Sequence, residues 1–308
     1  KVTFIDRLAY GCGAIGDTLL YDYIFAYMLL FMTDYAGVQP GPAGTILMLS
    51  VFWDCITDPM VGHFSDNSRN PKGRRMPYML KAQLPLVIVV CLCFVNVPFG
   101  ATGKFIYYFI VSSLFWTAFT FIQTPYFSFL PEITIDSKSR TSLRAWSVGI
   151  GAVGTIALSA SPSILAACQD AGISNALSWQ ITTWFCLAVS VAGYLFCIFR
   201  FNKFDRAATA LILDKPREEG NWFVAVCKNI AYVVKQKGFI FALLIYFLNL
   251  LAYICILSLI SYVGTYKLGL GAATISTITL VYTFSRVLFL PIVNKLSAHV
   301  GRKSMLAV

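Results

Sequence analysis

The chain reads as an all-α membrane protein, and three observations predict it. Of 308 residues, 58% are hydrophobic and 12% charged, about half the charged share of a soluble domain. Apolar runs of twenty or more residues recur along the chain, each long enough as a helix to cross ~30 Å of hydrocarbon. The basic residues also gather in alternate connections between those runs, which is how a polytopic chain sets its orientation.

Eight complete spans are predicted, near 8–33, 43–64, 79–99, 104–130, 145–168, 178–201, 239–266 and 272–296, and residues 304–308 read as the start of a ninth. The first is too long for a signal core and carries Asp17 and Asp22, so it is expected to remain as a span. The fifth places a small residue at every fourth position, Ser147, Gly151, Thr155, Ser159 and Ser163, a stripe that suits close helix packing. Residues 202–238 are the most charge-rich stretch and read as a linker. The expected organisation is a six-helix bundle over 1–201, a cytoplasmic linker over 202–238, and the beginning of a second bundle over 239–308, with two helices and part of a third.

Of the 24 Lys and Arg, all but Lys104, Lys267 and Arg286 fall on one side of this arrangement. By the positive-inside rule that side, with the N-terminus and the linker, is cytoplasmic. The net charge of +10 is accounted for by topology and calls for no nucleic acid. The nine cysteines lie in or beside spans without zinc or redox spacing, and His63 and His299 are the only histidines; a transition-metal centre and a cofactor are not expected. No nucleophile or metal cluster suggests an enzyme. Expected partners are a small-molecule substrate, a monovalent cation and membrane lipid, with the protein a monomer.

Asp54 and Asp58 stand one turn apart within the second span. Asp54 falls about halfway through the hydrocarbon, where one Asp costs ~2.5–3.5 kcal/mol on the gentlest insertion scales. Two on one face require compensation by a cation, water or a basic partner such as Arg286, and one of them could instead be protonated. Carboxylates at i and i+4 present oxygens to one point, which suits a hard cation. Thr57 is the polar neighbour on the same helix.

A weak internal repeat relates the second span, Asp54, Pro59, Gly62 and Asp66 running into Gly73-Arg74-Arg75, to the eighth, where Arg286, Pro291, Asn294 and Ala298 run into Gly301-Arg302-Lys303. Such repeats organise two-bundle transporters. Four stretches carry a sharper likeness: Tyr10 to Gly16 with Thr33-Asp34-Tyr35-Ala36-Gly37; Trp53-Asp54 through Asp58-Pro59, Gly62 and Asp66 to Gly73-Arg74-Arg75; Pro125 to Pro131-Glu132; and Asp136 to Arg140-Thr141-Ser142-Leu143. With these the chain resembles the glycoside-pentoside-hexuronide:cation symporters of the major facilitator fold, the family of melibiose permease. The resemblance implies twelve helices, so a chain with eight would be truncated before the last four.

The resemblance implies that Asp54 and Asp58 bind the coupling cation, sodium or a proton, with Thr120 supplying a hydroxyl from the fourth span. It implies substrate contacts on spans one and four. Where galactoside transporters of the family have acids, this chain has Thr18 and Gln123, with Asp17 and Asp22 nearby; Val148 replaces a family arginine, and Arg144 lies one turn before it. Thr18, Asp22, Gln123 and Tyr126 are the expected substrate residues, although Thr18 and Gln123 could simply bridge helices. Tyr21, Tyr27, Trp116 and Phe127 offer aromatic faces that suit either a sugar or lipid.

Asp66, Arg74 and Arg75 are expected to gate by pairing between the two bundles, or else serve only to set topology. Arg286, a charge at depth in the eighth span, is expected to balance the acidic site. The function implied is cation-coupled symport of a sugar or glycoside by alternating access. The alternatives are symport of a lipid-like or other amphiphilic solute, and a non-transporting sensor built on a transporter fold.

Overall fold

Thr3 opens the first helix with a capping box: its hydroxyl accepts from the Asp6 backbone N–H, and Asp6 Oδ2 accepts from the Thr3 N–H at 2.8 Å. Asp6 also pairs with Arg200 at 2.6 Å, so the same carboxylate that starts the helix ties it to a distant one. This is a computed structural model, and it describes residues 2–213 and 234–271 with scattered positions between 224 and 289.

The elements are α1 (Phe4–Leu30), ending in a π-turn at Phe31–Tyr35, α2 (Pro40–Asp66), α3 (Met76–Cys93), α4 (Ala101–Ile133), α5 (Ser137–Ser159), α6 (Ser161–Asp170), α7 (Asn175–Leu213) and α8 (Lys237–Tyr262), which ends in a π-turn at Val263–Lys267. Among the described residues six apolar stretches are long enough to cross a membrane: α1 with its π-turn, α2, α3, α4, α5 with α6, and α7. The first six predicted spans therefore exist in the expected order, and the predicted seventh corresponds to α8 and its π-turn. Most of the eighth span, including Arg286, lies outside the described residues.

Three boundaries differ from the prediction. The third helix stops at Cys93, six residues early. The fifth span is two helices broken at Ala160, with Pro162 in the first turn of α6, where its missing N–H costs nothing. The helix of the sixth span continues past 201 to Leu213, because it docks there on the α2–α3 loop: Asp205 is 0% exposed and accepts from that loop, and Arg206 donates to the Lys72 carbonyl. A charge-rich composition there marks a helix docked on a loop, so the linker does not begin at residue 202.

α1 packs between α5 and α7, α2 packs on α4, and α3 packs on α4 and α7. The seam between α1 and α5 includes Gly151 of the small-residue stripe, which meets Ala14 and Thr18, and Gly154 beside it. A Cβ on Gly154 would stand 2.7 Å from the Ile15 carbonyl oxygen and 3.2 Å from the Leu19 amide nitrogen, so only glycine lets the two backbones approach this closely. Toward one end of the bundle the core is aromatic, with Phe94 stacked on Trp179 at 5.8 Å and Phe31 edge-on to the same indole at 5.3 Å.

Candidate cation and substrate site

α2 and α4 run in parallel register, with Trp53 opposite Thr117, Asp54 and Asp58 opposite Thr120, and Gly62 opposite Thr124. Asp54 lies fourteen residues after Pro40, about 21 Å along a helix of about 40 Å, so its carboxyl group sits near the middle of α2 and that of Asp58 one turn beyond. Thr120 is 1% exposed, and its hydroxyl lies 2.8 Å from Asp54 Oδ1 and 3.1 Å from Asp58 Oδ1. The sequence expectation that these three residues converge is met by geometry across 62 residues of chain.

A threonine hydroxyl has one hydrogen and lone pairs to spare, so it donates to one carboxylate at a time. The second contact is satisfied when the other carboxyl is protonated and donates in turn, or when a cation stands where that proton would be. The arrangement thus fits a proton or a small cation, and it disfavours two bare carboxylates side by side. Thr57 is buried, and its hydroxyl donates to the Asp54 carbonyl at 3.2 Å, keeping its lone pairs close to the pair. Pro59, inside α2, lacks the N–H that the Cys55 carbonyl would receive in a regular helix, leaving a further oxygen near the two acids.

Trp53, part of the motif around the acid pair, donates its indole N–H to Thr117 Oγ1 at 2.9 Å. It pins α2 to α4 one residue before Asp54. The signal was present in the sequence as a Trp next to the Asp pair, but its partner is 64 residues away.

The expected substrate residues divide. Gln123 lies against the carboxylate of Asp17 on α1, a residue the sequence had offered only as a neighbour of Thr18. Thr18 sits at the α1–α5 seam, where a Cβ on Gly151 would meet its hydroxyl at 3.2 Å. Asp22 is buried in α1. Tyr126 is 1% exposed; its hydroxyl donates to the Tyr10 carbonyl at 2.6 Å and meets Ser147 Oγ at 3.2 Å, while its ring stacks on Tyr10 at 4.7 Å. That phenol is committed to holding α1, α4 and α5 together, so the expectation that it contacts substrate is replaced by a packing role.

The gate expectation changes as well. Arg75 pairs with Asp66 at 2.6 Å and with Glu132 at 3.4 Å, and Arg74 pairs with Glu132 and donates to the Asp66 carbonyl at 3.1 Å. These pairs join the α2–α3 loop to the ends of α2 and α4, within one six-helix unit and not between two. The reason is reach: the loop folds back over the helix it leaves, stapled by Asp205 of α7, which accepts from the Arg75 and Met76 N–H groups, and by Thr209, which accepts from the Arg74 N–H. Burial pushes the Arg75 guanidinium below its ordinary value, while Asp66 beside it opposes that shift. Arg286 falls outside the described residues.

Among the described residues no cluster of His, Cys, Asp and Glu could hold a transition metal. What α2 and α4 bring together midway along α2 is a half-buried group of side-chain oxygens from Asp54, Asp58 and Thr120.

A family model of MFS/sugar transport proteins matches residues 9–308, and the chain belongs to that family. The match bears out the likeness to glycoside-pentoside-hexuronide:cation symporters drawn from the motifs. The chain is 32% identical over 162 residues to an uncharacterized symporter, sll1374, of Synechocystis sp., covering 51% of this chain and 30% of the relative. It is 31% identical over 159 residues to the putative glycoside/cation symporter YagG of Escherichia coli, covering 52% and 35%, and 28% identical over 200 residues to an uncharacterized symporter, YnaJ, of Bacillus subtilis, covering 64% and 43%. The aligned part thus spans less than half the length of each of these relatives.

Proposed function

We propose that the protein is a secondary transporter that couples the downhill entry of a cation, sodium or a proton, to symport of a sugar or glycoside by alternating access. The observation that carries this reading is the placement of the Thr120 hydroxyl between Asp54 and Asp58 at mid-depth. Membership of a sugar-transport family supports it, as does likeness to a relative whose printed name is glycoside/cation symporter. Asp54, Asp58 and Thr120 are the cation ligands, with Thr57 in support.

The mechanism follows from charge. Without a cation or proton between them the two carboxylates repel across a low dielectric. A bound cation removes that repulsion, draws α2 onto α4 and orders the substrate face formed by α1 and α4. The coupling is reciprocal, each ligand raising affinity for the other by the same factor, typically about 5–150-fold. With the N-terminus cytoplasmic, as the distribution of Lys and Arg favours, each inward charge also gains ~2.3 kcal/mol per 100 mV of membrane potential. Asp66, Arg74, Arg75 and Glu132 act as a cytoplasmic latch that sets which side of the site is open.

The test is radiolabelled uptake of a glycoside panel into vesicles containing the complete gene product, at fixed pH with and without sodium and with an imposed proton gradient. Asp54→Cys and Asp58→Cys should each abolish cation stimulation while leaving residual substrate binding. Retention of cation-stimulated uptake in both variants would falsify the site.

A further inference from the structure

Where α7 docks on the α2–α3 loop, three cations that take no part in the sites above are turned outward. Lys72 of the loop and Lys203 and Arg206 of α7 are all exposed. Arg206 donates through Nε to the Lys72 carbonyl at 3.3 Å, and the Asn70 side-chain oxygen accepts the Lys72 N–H at 3.0 Å, so the loop residue is fixed beside the helix residue. Lys203 stands one turn before Arg206 on the same face of α7. Asp205, the acid between them in sequence, is 0% exposed and committed to the Arg75 and Met76 N–H groups. Among the described residues none of the three cations joins an ion pair.

Their depth follows from helix length. Lys203 comes twenty-eight residues after Asn175, about 42 Å along α7, which is beyond ~30 Å of hydrocarbon and within the ~40–45 Å that includes the headgroup layers. The face of α7 that carries Lys203 and Arg206 continues into the hydrocarbon as Phe199 and Phe196, 66% and 43% exposed. Beside it α3 runs in the opposite direction: Gln180 donates to the Cys91 and Phe94 carbonyls at one end of α3, and Asp205 accepts from the Met76 N–H at the other. The exposed apolar stripe of α3 is Leu80, Leu84 and Ile88. Acyl chains suit such stripes, and the three cations stand at the headgroup end.

The cations ask for an anion with several oxygens. With Nε occupied, the Arg206 guanidinium keeps its two terminal nitrogens for a phosphodiester, and the two lysines add compact charges from either side. We propose that Lys72, Lys203 and Arg206 form a headgroup site for an anionic phospholipid whose acyl chains lie on Phe199 and Phe196 of α7 and on the α3 stripe. A zwitterionic lipid brings an ammonium group that the same cluster repels. The site is independent of the solute carried. Because Arg206 holds the loop that aims Arg74 and Arg75, an occupied site tightens the docking of that loop on α7.

The experiment is thermal unfolding of the complete gene product in detergent, titrated with phosphatidylglycerol, phosphatidylcholine or inorganic phosphate. Phosphatidylglycerol at ten times its dissociation constant should raise the melting temperature by about 3 °C or more, with a smaller shift at high salt. Phosphatidylcholine and inorganic phosphate should each give less than about a third of that shift, the first for want of net charge and the second for want of chains. Lys72→Gln combined with Lys203→Gln and Arg206→Gln should abolish the increment. Lys81→Gln combined with Lys228→Gln and Lys235→Gln, which removes as many exposed charges elsewhere in the chain, should keep it. If the first triple variant is unstable without lipid, Lys203→Gln alone carries the test and should weaken phosphatidylglycerol affinity by about fivefold, the effect of one cation at an anionic surface. An equal shift with phosphatidylcholine or with inorganic phosphate overturns the site. So does equal loss in the two triple variants, which would reduce the effect to net charge, or an unchanged affinity in Lys203→Gln.

Discussion

The carboxylate of Asp205 accepts the backbone N–H groups of Arg75 at 3.0 Å and Met76 at 2.9 Å, capping α3 from a helix 130 residues further along the chain. Arg75, the residue at the N-cap of α3, provides no side-chain cap of its own. A buried anion at a helix N-terminus satisfies donors that would otherwise be orphaned, and it meets the positive end of the helix dipole. Gly73 makes room for it. This glycine has φ +115°, a conformation open to glycine, and a Cβ there would collide with Asp205 Oδ2. Arg74 and Arg75, the arginines of the proposed latch, are thus aimed by a loop whose shape is set from α7.

Removing that anion should loosen the latch without touching the cation ligands. Asp205→Ala leaves buried N–H groups unpaired and should cost about 2–3 kcal/mol, whereas Asp205→Asn keeps one acceptor and should cost less. Thermal unfolding of the two variants in detergent measures the difference. Equal stability of Asp205→Ala and the parent would show that water replaces the carboxylate at no cost.

Thr120 should be separable into hydroxyl and shape. Thr120→Val preserves volume but removes the hydroxyl that touches both Asp54 and Asp58, and it should raise the half-saturating cation concentration by about tenfold, a loss of ~1.4 kcal/mol. Thr120→Ser keeps the hydroxyl and should stay within about threefold of the parent, under ~0.7 kcal/mol. Cation titrations followed by intrinsic tryptophan fluorescence would read both.

Much of this was legible in the sequence because membrane helices announce themselves. Long apolar runs and two aspartates at i and i+4 depend on local spacing, and both survive into the fold. What was not legible depends on distant partners. Asp205 looks like a linker charge until α3 is placed against α7. Tyr126 looks like a sugar platform until Tyr10 and Ser147 take up its hydroxyl. Asp66 and the two arginines look like an inter-bundle gate until the loop folds back toward Glu132. The break at Ala160 had a local signal in Pro162, masked by a continuous hydropathy that carries no information about helix direction.

The α1–α5 seam should tolerate no side chain at Gly154. Its nearest neighbours across the seam are backbone atoms, the Ile15 oxygen and the Leu19 nitrogen, which cannot swing aside as a side-chain tip could. Gly154→Leu should therefore separate the helices, with overpacking costs of about 1–3 kcal/mol or more. Gly149 has open space around it, so Gly149→Ala should be neutral or slightly stabilising. The pair of melting temperatures tests whether close approach, and not glycine content, is what the seam requires.

Trp53 and Thr117 supply the last expectation. Their 2.9 Å hydrogen bond fixes α2 on α4 beside the two acids, and Thr117 is itself anchored, its hydroxyl donating to the Ser113 carbonyl at 2.8 Å. Trp53→Phe removes the indole N–H and keeps an aromatic ring, so the acids remain but their distance from Thr120 is less firmly held. A bond of this kind contributes about 0.5–1.5 kcal/mol, which predicts a cation affinity weakened by about two- to tenfold with little change in the maximal uptake rate. Thr117→Val should produce the same shift, and the double variant no more than either alone, since both remove one interaction. Additive losses in that cycle would mean that Trp53 acts through packing instead of through its hydrogen bond, and its role in positioning the cation site would be withdrawn.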